Sequence, residues 1–185
     1  ESVIFGKRNL KPSENAYDWL GHGMYFWESD HERALDWARQ LKKNPGRSKV
    51  KIEKPAVLGA IIDLGHCLNL IESHSLSLIQ GAYHSFKVLQ ESSGQELPVN
   101  TPLHNSEDLL KRNLDCAVIE YFHTWCRDEK KTPYDSVRGV FWEGSELYPN
   151  AGFKEKNHIQ ICVRNPNCIK GYFSPRKPSP GHRIP

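Results

Sequence analysis

Twelve residues, Asp18-Trp19-Leu20-Gly21-His22-Gly23-Met24-Tyr25-Phe26-Trp27-Glu28-Ser29, limit the fold more than any other part of the chain. Glycines at 21 and 23 flank one histidine and permit backbone angles and close approaches that a Cβ would forbid. Met24 to Trp27 then reads as a short aromatic strand. Ser29-Asp30-His31-Glu32 has the form of a capping box, which predicts a helix start with Ser29 as the cap. In that helix Ala34, Ala38 and Leu41 share a face, with Trp37 beside them. A glycine turn, an aromatic strand and a capped helix can present rings and free backbone amides to a flat, polar ligand. The same succession also serves ordinary core packing.

The remaining pattern predicts a single α+β domain over 1–174, followed by a Pro-rich, basic tail at 175–185 that frays. A helical turn is expected from Ser2 to Phe5, and a break from Lys42 to Arg47. Val57 to Leu64 is a nearly continuous apolar run and predicts a buried central strand. Leu76, Ile79, Tyr83, Phe86 and Leu89 recur at helical spacing, and Gln90 to Pro102 reads as a polar loop. Leu110, Leu114, Ala117, Val118, Tyr121 and Trp125 trace a second amphipathic helix, approached through His104 to Asp108. Val137 to Trp142, His158 to Val163 and Cys168 to Phe173 read as strands.

Of the 185 residues, 25% are charged and the formal net charge is +3, far from the footprint of a dedicated nucleic-acid binder. No apolar run approaches the ~20 residues that span a bilayer, so no membrane partner is expected. The five cysteines are odd in number and lack a Cys-x-x-Cys pair, which points to buried free thiols in a reducing, cytoplasmic setting. The nine histidines are scattered, and no metal site is expected.

Gly21-His22-Gly23-Met24-Tyr25-Phe26, with Ala34 on the next helix, resembles the second motif of the diphtheria-toxin-like ADP-ribosyltransferases, the superfamily of the poly(ADP-ribose) polymerases. Asp18 to Gly21 and Arg33 to Ala38 resemble uncharacterised bacterial members of that superfamily. The resemblance spans residues 18–41 and 138–173. It implies a split antiparallel β-sandwich with helices packed outside and NAD, as substrate, in the cleft between the sheets. It also implies that Tyr25 and Trp37 clamp the nicotinamide and that the backbone around Gly21, His22 and Gly23 meets its amide. The family's first motif, a strand carrying a histidine, is expected upstream of Glu1.

Superfamily members place a glutamate on a late strand, where it binds the ribose 2′-hydroxyl and steers the acceptor. Aligned without gaps to the pattern Glu-Tyr-Ile-Val-Tyr, His158 to Arg164 puts Gln160 at that position. Glutamine can hydrogen-bond a hydroxyl but cannot act as a base. Glu143, in the preceding loop that contacts the acceptor in the family, is the preferred carboxylate to supply what Gln160 lacks; Glu146 is the other nearby one. A solvated strand face for Gln160 and a solvated loop for Glu143 are the plain alternatives. The resemblance thus implies a mono-ADP-ribosyltransferase that releases nicotinamide and modifies a protein or nucleic acid. A toxin or defence role would bring an antitoxin or inhibitor as partner. The alternatives are a catalytically silent module that binds NAD, ADP-ribose or a protein, and a domain whose aromatics are only core.

Overall fold

The computed structural model describes residues 3–6, 8–47, 51–102, 108–176 and 181, and among them three α-helices and eight short strands make an α+β arrangement of mixed sheets. The strands are β1 Met24–Trp27, β2 Gly59–Ile62, β3 Cys67–Asn69, β4 Asn100–Thr101, β5 Lys111–Arg112, β6 Ser136–Phe141, β7 His158–Val163 and β8 Ile169–Phe173. The helices are α1 His31–Lys43, α2 Ser73–Ser92 and α3 Asn113–Asp128. By contacts the chain divides into two units, a larger one of Lys11–Glu28 and Leu64–Cys168 and a smaller one of Glu1–Leu10, Ser29–Asp63 and Ile169–Pro185.

The larger unit is built on a four-stranded sheet in the order β1-β7-β6-β3. β1 and β6 flank β7 in antiparallel fashion, whereas β3 runs parallel to β6. That parallel pair corrects the wholly antiparallel sheet the resemblance implies. A parallel pair needs a long crossover, and the segment carrying α2 and α3 provides it. Side chains alternate across a sheet, so Tyr25, Cys162, Val137 and Leu68, aligned by register, share one face. This row joins Leu20, Val118, Ile119, Phe122 and Phe141 in the hydrophobic core.

α3 has no cap from its own N-terminal residue; the Asn100 side chain supplies one instead. Asn100 Oδ1 accepts from the amides of Leu114 and Asp115, and Nδ2 donates to Asp115. Asn100 belongs to the small antiparallel β4–β5 pair, where the sequence reads as a polar loop from Gln90 to Pro102. His104 to Glu107 lie outside the described residues. α2 runs on to Ser92, past the expected loop start at Gln90.

In the smaller unit β2 pairs with β8 alone. The buried central strand expected from Val57 to Leu64 is therefore corrected to four residues, with Ile61 62% exposed. The cap of α1 also moves: Ser29 takes a left-handed φ of 53°, and Asp30 accepts from the Arg33 amide at 2.8 Å. Asp is as good a cap as Ser, so the Ser29–Glu32 spacing of a capping box did not decide the helix start. Residues 3–6 form a turn closed by the Gly6 amide on the Val3 carbonyl; Ser2 lies outside the described residues, as do 177–180 and 182–185 of the tail.

Gly23 is where the sheet admits no side chain. A Cβ there would stand 2.6 Å from Cys162 Sγ and 2.7 Å from the Val163 carbonyl oxygen. Gly23→Ala is expected to lower stability in urea unfolding by about 1–3 kcal/mol, the usual cost of overpacking. Gly81→Ala, at a helical position with open space around it, is expected to raise stability by about 0.5–1 kcal/mol. Equal effects at the two sites would contradict this packing.

Candidate functional site

The glycine turn is fixed from both sides. Before it, the buried Asp18 carboxylate gathers the Ser13 hydroxyl, the Asn15 amide and the Asn15 side chain. Gly21 adopts φ 76°, and a Cβ there would also meet the Glu120 carboxylate and Ile119. Glu120, on α3, accepts from the His22 amide at 2.7 Å and holds Arg164 through two hydrogen bonds. Arg164 in turn donates to the His22 carbonyl at 3.0 Å. Burial pushes the Glu120 carboxyl up, but the Arg164 hydrogen bond, the His22 amide and the nearby positive charge outweigh it and hold it below its ordinary range.

This corrects the expected presentation of free amides. The Gly21 amide donates to Asp18, that of His22 to Glu120 and that of Gly23 to Ser13, so all three are spent within the protein. Tyr25 closes the same turn: its hydroxyl donates to the Gly21 carbonyl at 2.6 Å and accepts from the Leu20 amide at 2.8 Å. Burial raises the phenol well above its ordinary pKa, which keeps the donating proton in place. The Tyr25 ring packs against the core cluster, so it is a structural wall of the turn rather than a free platform. Trp37 is half-buried on α1, in the smaller unit.

β1 and β7, distant in sequence, lie side by side with Trp27 opposite Gln160 and Tyr25 opposite Cys162. Gln160 is 8% exposed, which corrects the solvated strand face considered above. Its amide nitrogen lies 3.0 Å from His158 Nε2, while His158 Nδ1 lies 2.6 Å from the Lys156 carbonyl. A carbonyl only accepts, so Nδ1 carries the proton, and Nε2 accepts from Gln160. One N–H of the Gln160 amide is thus committed to His158, which leaves its second N–H and Oε1 for a ligand hydroxyl. Glu143 is 2% exposed and its carbonyl accepts from the Lys156 amide, so it is a buried carboxylate and not a solvated loop residue.

Sequence reasoning missed the aromatic layer around His158. Phe141 stacks on the imidazole with centroids 5.6 Å apart, Trp19 lies 4.6 Å from Phe141, and Trp27 lies 6.5 Å from His158. The Trp19 indole N–H donates to the Leu110 carbonyl, and Arg112 lies over both Trp19 and Phe141. The period of two in β7 already puts His158 on the Gln160 face; the approach of Trp19 and Arg112 has no local signal. On the opposite face Arg138 makes a bidentate pair with Glu28, spanning from β6 to the end of β1. Among the described residues no cluster of three or more His, Cys, Asp or Glu side chains is placed to hold a metal ion. No helix of the described residues is long and apolar enough to cross a membrane. Comparison with protein families, with curated proteins and with solved structures finds no match.

His123, one turn from the ion pair on α3, has a buried Nε2 with no hydrogen-bond partner among the described residues. Burial, with the Arg164 charge adding and Glu120 opposing, lowers its pKa to about 4. Above pH 6.5, the ordinary value, it is neutral both folded and unfolded. As pH falls from there towards 4, the unfolded chain binds a proton that the folded chain refuses, and stability declines. At about 1.36 kcal/mol per unit the loss approaches roughly 3 kcal/mol. Urea unfolding between pH 7 and 4 is expected to show this decline, and His123→Gln to flatten it. An unaltered slope in the variant would contradict the desolvation of His123.

Proposed function

We propose that this chain is an NAD-dependent mono-ADP-ribosyltransferase with a fold of that superfamily's type. The observation that supports this reading is the pairing of β1 with β7. The glycine–aromatic motif and the late strand, each resembling a different family motif, meet with Trp27 in register with Gln160. Cleavage of the nicotinamide–ribose bond leaves positive charge on the ribose, so the site must orient the sugar and stabilise an oxocarbenium-like state. In this reading Gln160 Oε1 accepts from a ribose hydroxyl, with the side chain held by His158. Glu143 supplies the carboxylate that orients the acceptor; it lies two residues beyond Phe141, whose register partner is His158. Tyr25 holds the turn of Gly21, His22 and Gly23 in place.

A protein acceptor is favoured by the loop between β6 and β7, where Trp142, Leu147, Tyr148 and Phe153 are all exposed. A cytoplasmic setting, with NAD at hand and the buried thiols of Cys116, Cys126, Cys162 and Cys168 reduced, belongs to the proposal. An antitoxin or inhibitor would belong to a toxin role. One observation favours the silent-module alternative: Gln160 is tied to His158 and carries no charge.

With tagged NAD and a protein mixture as acceptor, the chain is expected to label protein and release nicotinamide. Gln160→Ala is expected to lower labelling about 100-fold, in the range for loss of one transition-state hydrogen bond, while circular dichroism shows the fold retained. Full labelling by the variant would remove Gln160 from the mechanism. Thermal stabilisation by NAD without nicotinamide release would establish the silent module instead.

A further inference from the structure

We infer that the Trp19–Phe141 ring pair is a binding site for a planar cation, and that the Arg112 guanidinium holds this place until a ligand displaces it. The two rings are tilted 51° to each other with centroids 4.6 Å apart, so they open as a wedge. The guanidinium carbon of Arg112 stands 4.5 Å from the Trp19 ring and 4.9 Å from the Phe141 ring, close enough for cation–π attraction to both. It has two other polar ties, one long and one of ordinary length. One nitrogen reaches Asp115 at 3.4 Å, and Nε donates to the Leu109 carbonyl at 3.1 Å. The Arg112 backbone is fixed in β5 opposite Asn100, while its side chain is 23% exposed and hangs on rotatable bonds. The Asp115 contact is long and partly exposed, so it holds the guanidinium only loosely.

Beneath the guanidinium the layer continues without a break. Phe141 stacks on His158, and His158 accepts from Gln160. A ligand seated in the wedge therefore lies one ring away from the residue pair assigned to the ribose. Guanidinium and pyridinium share the features the wedge selects: both are flat, delocalised, weakly hydrated monocations. The naming of the ligand as a pyridinium rests on the transferase reading; the stacking site does not. The same geometry makes Arg112 self-inhibitory, because ligand entry must first detach it from the rings.

The probe is 1-methylnicotinamide, a pyridinium without phosphate or ribose, titrated while tryptophan fluorescence quenching is followed, with uncharged nicotinamide as control. The native chain is expected to bind the cation weakly and nicotinamide more weakly still. Removing the internal competitor in Arg112→Ala is expected to tighten the cation about tenfold, the size of one cation–π contact. Adding Trp19→Leu to that variant is expected to abolish the gain. Arg112→Gln, which keeps the stem and a polar end, is the second variant should Arg112→Ala fail to fold. Equal affinity of the native chain and a folded Arg112 variant would overturn the inference, as would a gain that survives Trp19→Leu. Nicotinamide release from NAD is measured separately: tightened cation binding without release removes the transferase reading and leaves the site standing.

Discussion

The Glu120–Arg164 ion pair is the interaction on which the larger unit depends. It stands between α3 and the turn at Gly21 to Gly23, and it satisfies both the amide and the carbonyl of His22. With the turn pinned there, β1 must start at Met24 and run beside β7, and the Tyr25 hydroxyl falls onto the Leu20 amide and the Gly21 carbonyl. A half-buried ion pair contributes little by its charge alone, because desolvation opposes the Coulomb gain. Here it also satisfies two part-buried backbone groups of His22. The cost of leaving such groups unmade exceeds the gain from making them.

That clamp changes what the glycine motif is for. Its backbone is consumed in holding the strand, so any recognition of a flat ligand falls to side chains further along the sheet. The core-side face of the sheet carries them in order: Trp27 and Gln160 in register, His158 two residues away, Phe141 stacked on it, then Trp19 and Arg112. Ring stacking of this kind supplies contact area at small entropic cost, and a polar chain running through it supplies direction. The Gln160–His158 pair is also directional. It fixes the direction of the remaining hydrogen-bonding groups, which suits the proposed chemistry, where positioning counts for more than a base.

Much of this was legible in the residues. Met24 to Trp27, the helices around Tyr83 and Val118, and the strands at Val137 and Ile161 all carry periodicity strong enough to place them within two or three residues. What failed was information that resides in pairing partners. Val57 to Leu64 has the composition of a central strand, yet β2 has one neighbour in its sheet and exposes Ile61. Nothing near Asn100 announces that its amide caps a helix more than ten residues away. At the site, Gln160 and the glycine turn could be singled out from motif and spacing. Glu120, Arg164, Arg112 and Trp19 could not, because each acts on residues brought close only by the fold.

The central claim is that Glu120 and Arg164 work as one clamp on the turn, and a double-mutant cycle measures it directly. Urea unfolding of the native chain, Glu120→Ala, Arg164→Ala and the double variant at pH 7 gives the coupling between them. The account predicts that the second substitution costs little once the first is made, a coupling of about 1–3 kcal/mol. Additive losses, with coupling below about 0.5 kcal/mol, would mean that the turn is held by something else.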